Sequence, residues 1–159
     1  MDRTFLFINL KVKGFFDELT STISYVVYDI KEKECAVIDS VLDFDYSSGS
    51  IDYINADKII SFIKQNNLNL IWLIETHVHA DHLSAAPYIQ KKLGGKIGIS
   101  EKISDVQNIF GKTFNAGTEF QRDGSQFDKL FKNNDEYKIG QMTCKVIETP
   151  GHTPACTAH

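Results

Sequence analysis

Cysteine is scarce in this sequence. The chain contains three cysteines, Cys35, Cys144 and Cys156, and no two of them have C-x-x-C spacing. An odd and scattered set of this kind does not build the disulfide framework of a small secreted domain. We therefore expect reduced thiols and a cytoplasmic location, with Cys35 packed as a small apolar side chain in the core.

Blocks of positive charge and long apolar runs are also missing. Lysine and arginine total 17 against 21 acidic residues, which gives a net charge of −4 without a basic cluster. This balance argues against a nucleic-acid partner. No apolar run is long enough to span a bilayer, and the first residues lack the apolar segment and cleavage site of a signal peptide. We therefore expect no membrane partner either.

What is present is the composition of a globular protein. Hydrophobic residues make up 42% of the chain and charged residues 24%. These proportions are sufficient for a buried core, and 159 residues correspond to one domain. We therefore treat residues 1–159 as a single domain, since no internal repeat or linker interrupts them.

The first third of the chain predicts antiparallel strands rather than a βαβ unit. Strand-like segments occupy Phe5–Val12, Thr20–Tyr28 and Cys35–Asp39, and the second of them alternates with period two. Charged residues separate the second segment from the third, as expected of a turn. We interpret the following residues, Val41–Asp45, as a loop that leaves the end of the third strand.

A helix is predicted next, because apolar residues recur every three or four positions. These residues are Ala56, Ile59, Ile60 and Ile63. Asn55 precedes them and is a candidate N-cap. The apolar run Leu70–Ile74 then predicts a buried strand. A second helix follows, with Ser84 as N-cap, Pro87 in its first turn and a glycine pair, Gly94-Gly95, at its end.

The next stretch predicts a strand, a third helix and a long loop. Lys96–Ser100 is the strand, and the helix should turn Ile103, Val106 and Phe110 inward and end at Gly111. Residues 112–125 show little periodicity. A loop of this length is either a lid over a site or a cover for a sheet edge.

Three histidines and an aspartate lie close together immediately after the strand Leu70–Ile74. The segment reads Thr76-His77-Val78-His79-Ala80-Asp81-His82. Side chains alternate along an extended chain, so His77 and His79 point the same way. Asp81 and His82 enter from another angle as the chain curls toward a helix. Imidazole nitrogens and carboxylate oxygens are ligands of zinc and non-haem iron, so all four residues are candidate metal ligands.

A further candidate ligand stands far along the chain. A predicted hairpin, Tyr137–Ile139 with Met142–Glu148, leads into a loop in which Pro150 and Gly151 precede His152. A histidine on a loop is often simply exposed. Because the first histidine segment is present, we interpret His152 as a remote metal ligand.

Other polar groups near these segments leave alternatives open. Asp39 and Asp43 can reach a metal centre, but carboxylates in loops more often stay solvated or cap a helix. Cys156 lies either near a substrate or in the core as an inert thiol. The start of the helix after Ser84 would favour an anionic ligand beside the site.

The two histidine segments together resemble the metallo-β-lactamase superfamily. They read His77-x-His79-x-Asp81-His82 and Gly151-His152-Thr153. The resemblance implies an α+β fold, an αββα sandwich that holds the metal between its two sheets.

Three longer stretches resemble the persulfide dioxygenase branch and the bacterial β-lactamase-like hydrolases found with sulfide detoxification. They are Asp39–Asp45, Glu75–Tyr88 and Asp105–Asn115. The resemblance implies one Fe(II), held by His77, His152 and a later aspartate. It implies catalytic roles for His79, Asp81 and His82, which would orient ligands and substrate. The implied reaction converts glutathione persulfide and O₂ to sulfite and glutathione.

Two alternatives stay open. The histidine segment also fits a hydrolase of the glyoxalase II kind, in which two zinc ions share Asp81 and His82 and a bridging hydroxide attacks a thioester. The third interpretation is a fragment that binds metal without turnover.

The family pattern continues beyond Cys156 into an apolar strand and a turn that carries the carboxylate ligand, and Thr157–His159 does not match it. We therefore expect an incomplete second sheet, with apolar surface left open or covered by a second copy in a homodimer. A metal would recruit His79, Asp81 or water instead of the missing ligand. His159 itself is expected to be a frayed terminus.

Overall fold

The computed structural model describes residues 9–159, so the part of the predicted Phe5–Val12 strand before Asn9 lies outside the described residues. The strands are β1 (Leu10–Asp17), β2 (Thr22–Asp29), β3 (Glu34–Ile38), β4 (Val41–Asp45), β5 (Ser50–Asp52), β6 (Asn69–Ile74), β7 (Leu83–Ser84), β8 (Lys96–Ser100), β9 (Lys129–Phe131), β10 (Glu136–Ile139), β11 (Met142–Lys145), β12 (Ile147–Glu148) and β13 (Thr157–Ala158). The helices are α1 (Ile54–Gln65), α2 (Ala86–Leu93) and α3 (Ile103–Thr113). None of these helices is both long and apolar enough to cross a membrane.

The largest sheet has six strands in the order β1-β2-β3-β6-β8-β9. The first three strands pair antiparallel, which confirms the predicted meander. From β3 onward the neighbours are parallel, so β6, β8 and β9 end at the same edge of the sheet. The carboxyl ends of parallel strands are where open α/β sheets present ligands, and the histidine segment follows β6.

Helices α1 and α2 cover one face of this sheet. Ile59, Ile63 and Ile89 are buried there against Val37 and Leu73. Complete burial of such side chains contributes about 1.5–3 kcal/mol each. The predicted apolar stripe of α1 is thus confirmed by its contacts.

The helix starts differ from the predictions. Helix α1 begins at Ile54, and Asn55 makes no side-chain cap. Instead, the Asp43 carboxylate accepts the Asn55 backbone N–H at 2.8 Å, so a neighbouring strand supplies the cap. Helix α2 begins at Ala86 rather than directly after Ser84, although the Ser84 hydroxyl accepts the Ala86 N–H at 3.0 Å.

The other face of the sheet is only partly covered. The β10–β11 hairpin packs Tyr137 and Ile139 against Ala36 and Ile74, and these side chains form a second buried cluster. On β1 and β2 the same face carries exposed apolar side chains, with Val12 56% exposed. The members of this open face are Leu10, Val12, Phe16, Ile23 and Tyr25.

Two predictions about local structure were wrong. Val41–Asp45 is strand β4, which pairs with β5 directly after it and with β7, a partner distant in sequence. Phe110 points outward and is 50% exposed. The buried face of α3 includes Gln107 and Gly111 instead. Gly111 is the residue directly after Phe110, so the buried face is rotated by one residue from the predicted one.

The segment between α3 and β9 is held against α3. The Arg122 guanidinium donates to the carbonyl oxygens of Gly111 at 3.2 Å and Ala116 at 2.9 Å. The side-chain oxygen of Gln107 accepts the Gly124 N–H at 3.0 Å. These bonds favour the cover over the lid as the role of residues 112–125.

Candidate metal centre

Two loops that are far apart in sequence meet beside the end of β6. The backbone N–H of Thr157 donates to the Thr76 carbonyl oxygen at 2.9 Å, and the Thr157 hydroxyl donates to the same oxygen at 3.2 Å. This contact places the rings of His77 and His152 with centroids 4.9 Å apart and nearly perpendicular. The expected convergence of positions 77 and 152 is therefore present in the structure.

The remaining members of the first segment gather around His79. Its ring centroid lies 4.0 Å from that of His77 and 4.2 Å from that of His82. Ligand atoms of His79, Asp81 and His82 all lie within 4.8 Å of one another. Five predicted site residues thus form one cluster, and their roles as ligands stay a prediction.

A hydrogen-bond chain determines which nitrogen of His77 is free. The Thr76 hydroxyl donates to Asp39 Oδ2 at 2.8 Å, so its oxygen is left to accept from His77 Nδ1 at 2.9 Å. With the proton on Nδ1, His77 Nε2 carries the lone pair. Burial lowers the pKa of His77 and keeps the ring neutral, as a metal ligand must be.

His79 has the opposite orientation. Its Nε2 lies 3.1 Å from Asp39 Oδ1 and 3.6 Å from Glu75 Oε2, without good hydrogen-bond geometry to either oxygen. A nitrogen that faces carboxylates carries the proton, because a lone pair there would be repelled. Burial lowers the pKa of His79, but the surrounding carboxylates outweigh it and raise the pKa above its ordinary value. Its Nδ1 lies 3.7 Å from Asp81 Oδ1 and faces the cluster.

His82 presents an unpartnered buried nitrogen. Its Nδ1 lies 3.0 Å from the Leu83 carbonyl oxygen, which can only accept, so the proton is on Nδ1. Its Nε2 is buried and has no hydrogen-bond partner within residues 9–159. An unsatisfied buried acceptor costs about 1–3 kcal/mol unless a donor or a cation occupies it. His82 therefore fits a metal-ligand role.

Asp81 is anchored by the first hairpin. The Thr22 hydroxyl donates to Asp81 Oδ2 at 2.9 Å. Burial raises the pKa of Asp81, but this hydrogen bond and the nearby histidines together lower it by more. The net shift of the pKa is therefore downward. The carboxylate is ionised, and its Oδ1 remains directed at His79.

Glu75 was missed by the sequence analysis, where it appeared only inside a stretch of family resemblance. It is 4% exposed, and its Oε1 accepts a short hydrogen bond of 2.5 Å from the Ser84 hydroxyl. Burial raises the pKa of Glu75 to about 8, with the Asp39 carboxylate acting in the same direction. A buried polar residue directly after an apolar strand was the available signal.

Of the other polar candidates, only Asp39 reaches the cluster. It contacts Thr76 and His79, and its backbone has a positive φ of 50°. Asp43 caps α1 instead. The Cys156 thiol is buried and lies 3.2 Å from the Thr153 N–H, as expected of a structural thiol. His159 is not frayed, because it bonds to Tyr137 and to Thr157, a residue of β13.

Three hollows open around His79. The first, of about 370 Å³, is lined by the carboxylates of Asp17, Asp43 and Asp81 among others. The second, of about 310 Å³, lies over apolar side chains that include Phe127. The third, of about 690 Å³, lies between α3 and the loop of His152.

The donor set fits a transition-metal ion. His77 and His82 have an imidazole nitrogen free of its proton, His79 directs Nδ1 toward the cluster, and Asp81 offers an ionised carboxylate. The ligands that zinc and non-haem iron take in proteins are of these types.

The sequence is similar to those of several known proteins. A probable metallo-hydrolase of Burkholderia pseudomallei is 49% identical over 94% of this chain and 51% of that protein. Glyoxylase B2 of Dictyostelium discoideum is 41% identical over 94% of the chain and 51% of its own length. The mitochondrial persulfide dioxygenase ETHE1 of Homo sapiens is 23% identical over 91% and 45%.

A solved structure shows the same fold. The crystal structure of ETHE1 from Myxococcus xanthus superposes with a TM-score of 0.67 at 22% identity, covering 92% of this chain and 52% of that one. The chain thus spans about half the length of the relatives that it matches. Residues 18–158 match the family model of the metallo-beta-lactamase superfamily. With its α+β fold and its histidine cluster, the chain belongs to the metallo-β-lactamase superfamily.

Proposed function

We propose that the protein is an iron-dependent persulfide dioxygenase that converts a thiol persulfide, such as glutathione persulfide, together with O₂ and water to sulfite and the thiol. The observation that carries the proposal is the pairing of His77 with His152, whose rings lie 4.9 Å apart. Two imidazoles belong to the ligand set of non-haem Fe(II) oxygenases, a set that leaves coordination positions for substrate and O₂. The similarity to persulfide dioxygenases across 91% of the chain supports this choice of reaction.

In this proposal, the residues around His77 and His152 hold the candidate ligands in place and orient them. Thr76 and Asp39 keep the His77 proton on Nδ1, and Thr22 keeps the Asp81 carboxylate in place. Fe(II), when bound, supplies the electron transfer that lets O₂ react with sulfur. The outer sulfur of the persulfide is oxidised to sulfite, O₂ is reduced, water provides the third oxygen, and the thiol leaves with its proton.

A second candidate is a zinc-dependent thioester hydrolase of the glyoxalase II kind. The observation that favours it is the grouping of His79, Asp81 and His82 within 4.8 Å, which suits a second ion beside the first. Relatives named metallo-hydrolase and glyoxylase B2 are 49% and 41% identical, more similar than the persulfide dioxygenase.

Two assays separate the candidates. The protein is loaded anaerobically with Fe(II) or with Zn²⁺, and its metal content is measured. O₂ uptake with glutathione persulfide is then compared with hydrolysis of S-lactoylglutathione. Uptake by the iron form alone supports the dioxygenase, and hydrolysis by the zinc form alone supports the second candidate. Metal binding without either reaction would identify the chain as an inactive metal-binding fragment.

A further inference from the structure

Helix α3 exposes three large apolar side chains beside the candidate metal centre. Ile109 is 56% exposed, Phe110 50% and Phe114 73%. The two phenylalanine rings lie 5.8 Å apart and are parallel to within 10°. Single exposed apolar residues are common, but a contiguous group of this kind marks a binding surface.

These side chains form the wall of a hollow rather than a flat patch. The apolar hollow, as we call it, has a volume of about 690 Å³, with Ile109, Phe110 and Phe114 on one side and Pro154 on the other. His79 and His152 also line it. Its size is that of a small-molecule site, and it is continuous with the candidate metal centre.

The charges around the hollow restrict what it can hold. Apart from the two histidines, its lining within the described part of the chain contains no ionisable side chain. Neither of the other two hollows that reach His79 has a lysine or arginine among the described residues that line it. Free carboxylates, such as the two of glutathione, are recognised by cationic side chains, so this hollow suits an uncharged group.

We infer that the apolar hollow binds an uncharged aryl or alkyl group attached to the sulfur that reacts at the candidate metal centre. The inference rests on the proposed function for the reacting sulfur and specifies the organic group that the sulfur carries. The occupant is a small molecule, because a protein surface seated there would bury His79 and His152. Phe110 and Phe114 are the residues that select the substrate.

Binding to the zinc-loaded protein tests this inference without turnover. Calorimetric titration compares phenylmethanethiol, which is aromatic and uncharged apart from its thiol, with glutathione. We expect phenylmethanethiol to bind more tightly. Phe114→Ala should weaken its binding about tenfold, since one aromatic contact is lost together with its buried area. Phe16→Ala removes a 58% exposed ring from β1 that is not among the residues lining the hollow, and it should leave the dissociation constant unchanged.

Three results would overturn the inference. The first is tighter binding of glutathione than of phenylmethanethiol. The second is equal phenylmethanethiol binding by wild type and Phe114→Ala. The third is a wild-type dimer, seen by sedimentation, that Phe114→Ala dissociates, which would make the hollow an interface between copies.

The titration and the activity assay test different claims, so the inference about the hollow and the proposed reaction can be refuted separately. If persulfide is not oxidised but phenylmethanethiol binds with the expected dependence on Phe114, the proposed reaction is wrong and the apolar hollow is a binding site. If persulfide is oxidised while binding ignores Phe114, the proposed function stands and the inference about the hollow is wrong.

Discussion

The proton positions on the histidines are determined by residues behind them. Asp39 contacts two imidazole rings. It is linked to His77 by hydrogen bonds through the Thr76 hydroxyl, and it lies directly beside Nε2 of His79. The two rings consequently leave different nitrogens free of the Asp39 side, Nε2 in His77 and Nδ1 in His79. Residues that orient ligands in this way matter for metal affinity nearly as much as the ligands themselves.

We expect His77→Ala and His152→Ala to abolish iron retention and O₂ uptake, since each removes one imidazole of the facing pair. Metal analysis after anaerobic loading and desalting measures the effect. His159→Ala is the matched control, because that ring bonds to Tyr137 and Thr157 rather than to the cluster. Full iron content in either site variant would refute the assignment.

Thr76→Val keeps the shape of the side chain and removes the hydroxyl that links Asp39 to His77. We expect the metal dissociation constant to rise about 10–100-fold, as for other outer partners of histidine ligands. Competition with a chromophoric chelator measures it. Thr113→Val removes a hydroxyl that bonds only to the Ile109 carbonyl, and it should bind metal as the wild type does. An unchanged constant in Thr76→Val would show that the hydroxyl does not orient the ring.

The turn of the β10–β11 hairpin attaches it to the six-stranded sheet. The Glu34 carboxylate accepts the Gly140 N–H at 2.8 Å, and the Asp29 carboxylate accepts the Gln141 N–H at 3.0 Å. Asp29 also accepts the N–H groups of Lys31 and Glu32 in the turn after β2. Two carboxylates thus join the turn of one hairpin to the strands of the other layer.

Asp29→Asn should lower the free energy of unfolding by about 2 kcal/mol at neutral pH, because it removes a charged acceptor of these bonds. The Gln141 N–H in particular holds the pKa of Asp29 below its ordinary value of 3.8. A lowered folded-state pKa gives stability that is complete above the unfolded-state pKa and is lost as pH falls through the folded-state value. The wild type should therefore lose more stability in acid than Asp29→Asn does.

Urea titrations at a series of pH values between neutrality and about pH 3 measure both effects of Asp29→Asn. Glu18→Gln, an exposed glutamate in the turn after β1, is the control and should unfold with the wild-type free energy at neutral pH. Parallel acid profiles for the wild type and Asp29→Asn would contradict the assigned role of the carboxylate.

Gly98 on β8 leaves room for the ring of Phe131, a residue of the neighbouring strand β9. A Cβ at this position would lie 2.5 Å from the Phe131 ring, which is buried against Trp72 and Tyr137. Gly98→Ala should therefore cost about 1–3 kcal/mol of stability. At Gly151 a Cβ meets no atom within 4 Å, so Gly151→Ala should be neutral in the same thermal or urea unfolding experiment. Equal stability of the two variants would show that the Phe131 ring can move aside.

Within residues 9–159, the sheet face formed by β1 and β2 is exposed to solvent. Val12 and Phe16 are 56% and 58% exposed there. We expect the chain to associate with itself as concentration rises, because contiguous apolar surface is buried wherever it can be. Val12→Lys should lower this association in sedimentation experiments. Lys11→Ala, on the opposite face of β1, should not, and wild-type sedimentation independent of concentration would refute the expectation.

Local rules account for the parts of the molecule that could be predicted from the sequence. Alternation identified strand β2, the apolar run Leu70–Ile74 identified β6, and apolar spacing identified α1. The same rules misplaced Phe110, since two neighbouring stripes of α3 satisfy the spacing and only the packing of Gln107 and Gly111 chooses between them. Strand β4 was missed because one of its partners, β7, is distant in the chain, and the other, β5, has only three residues, all of them exposed.

Neighbouring side chains obey the geometry of a single backbone segment, so the sequence was enough to predict that His77, His79, Asp81 and His82 share one loop after a buried strand. The groups that face these four residues depend on how distant segments pack. Asp39 bonds to Thr76 from 37 positions away, Thr22 to Asp81 from 59, and Thr157 to Thr76 from 81. Backbone rules state where a side chain points, whereas the order of strands in the sheet decides which distant group arrives opposite it.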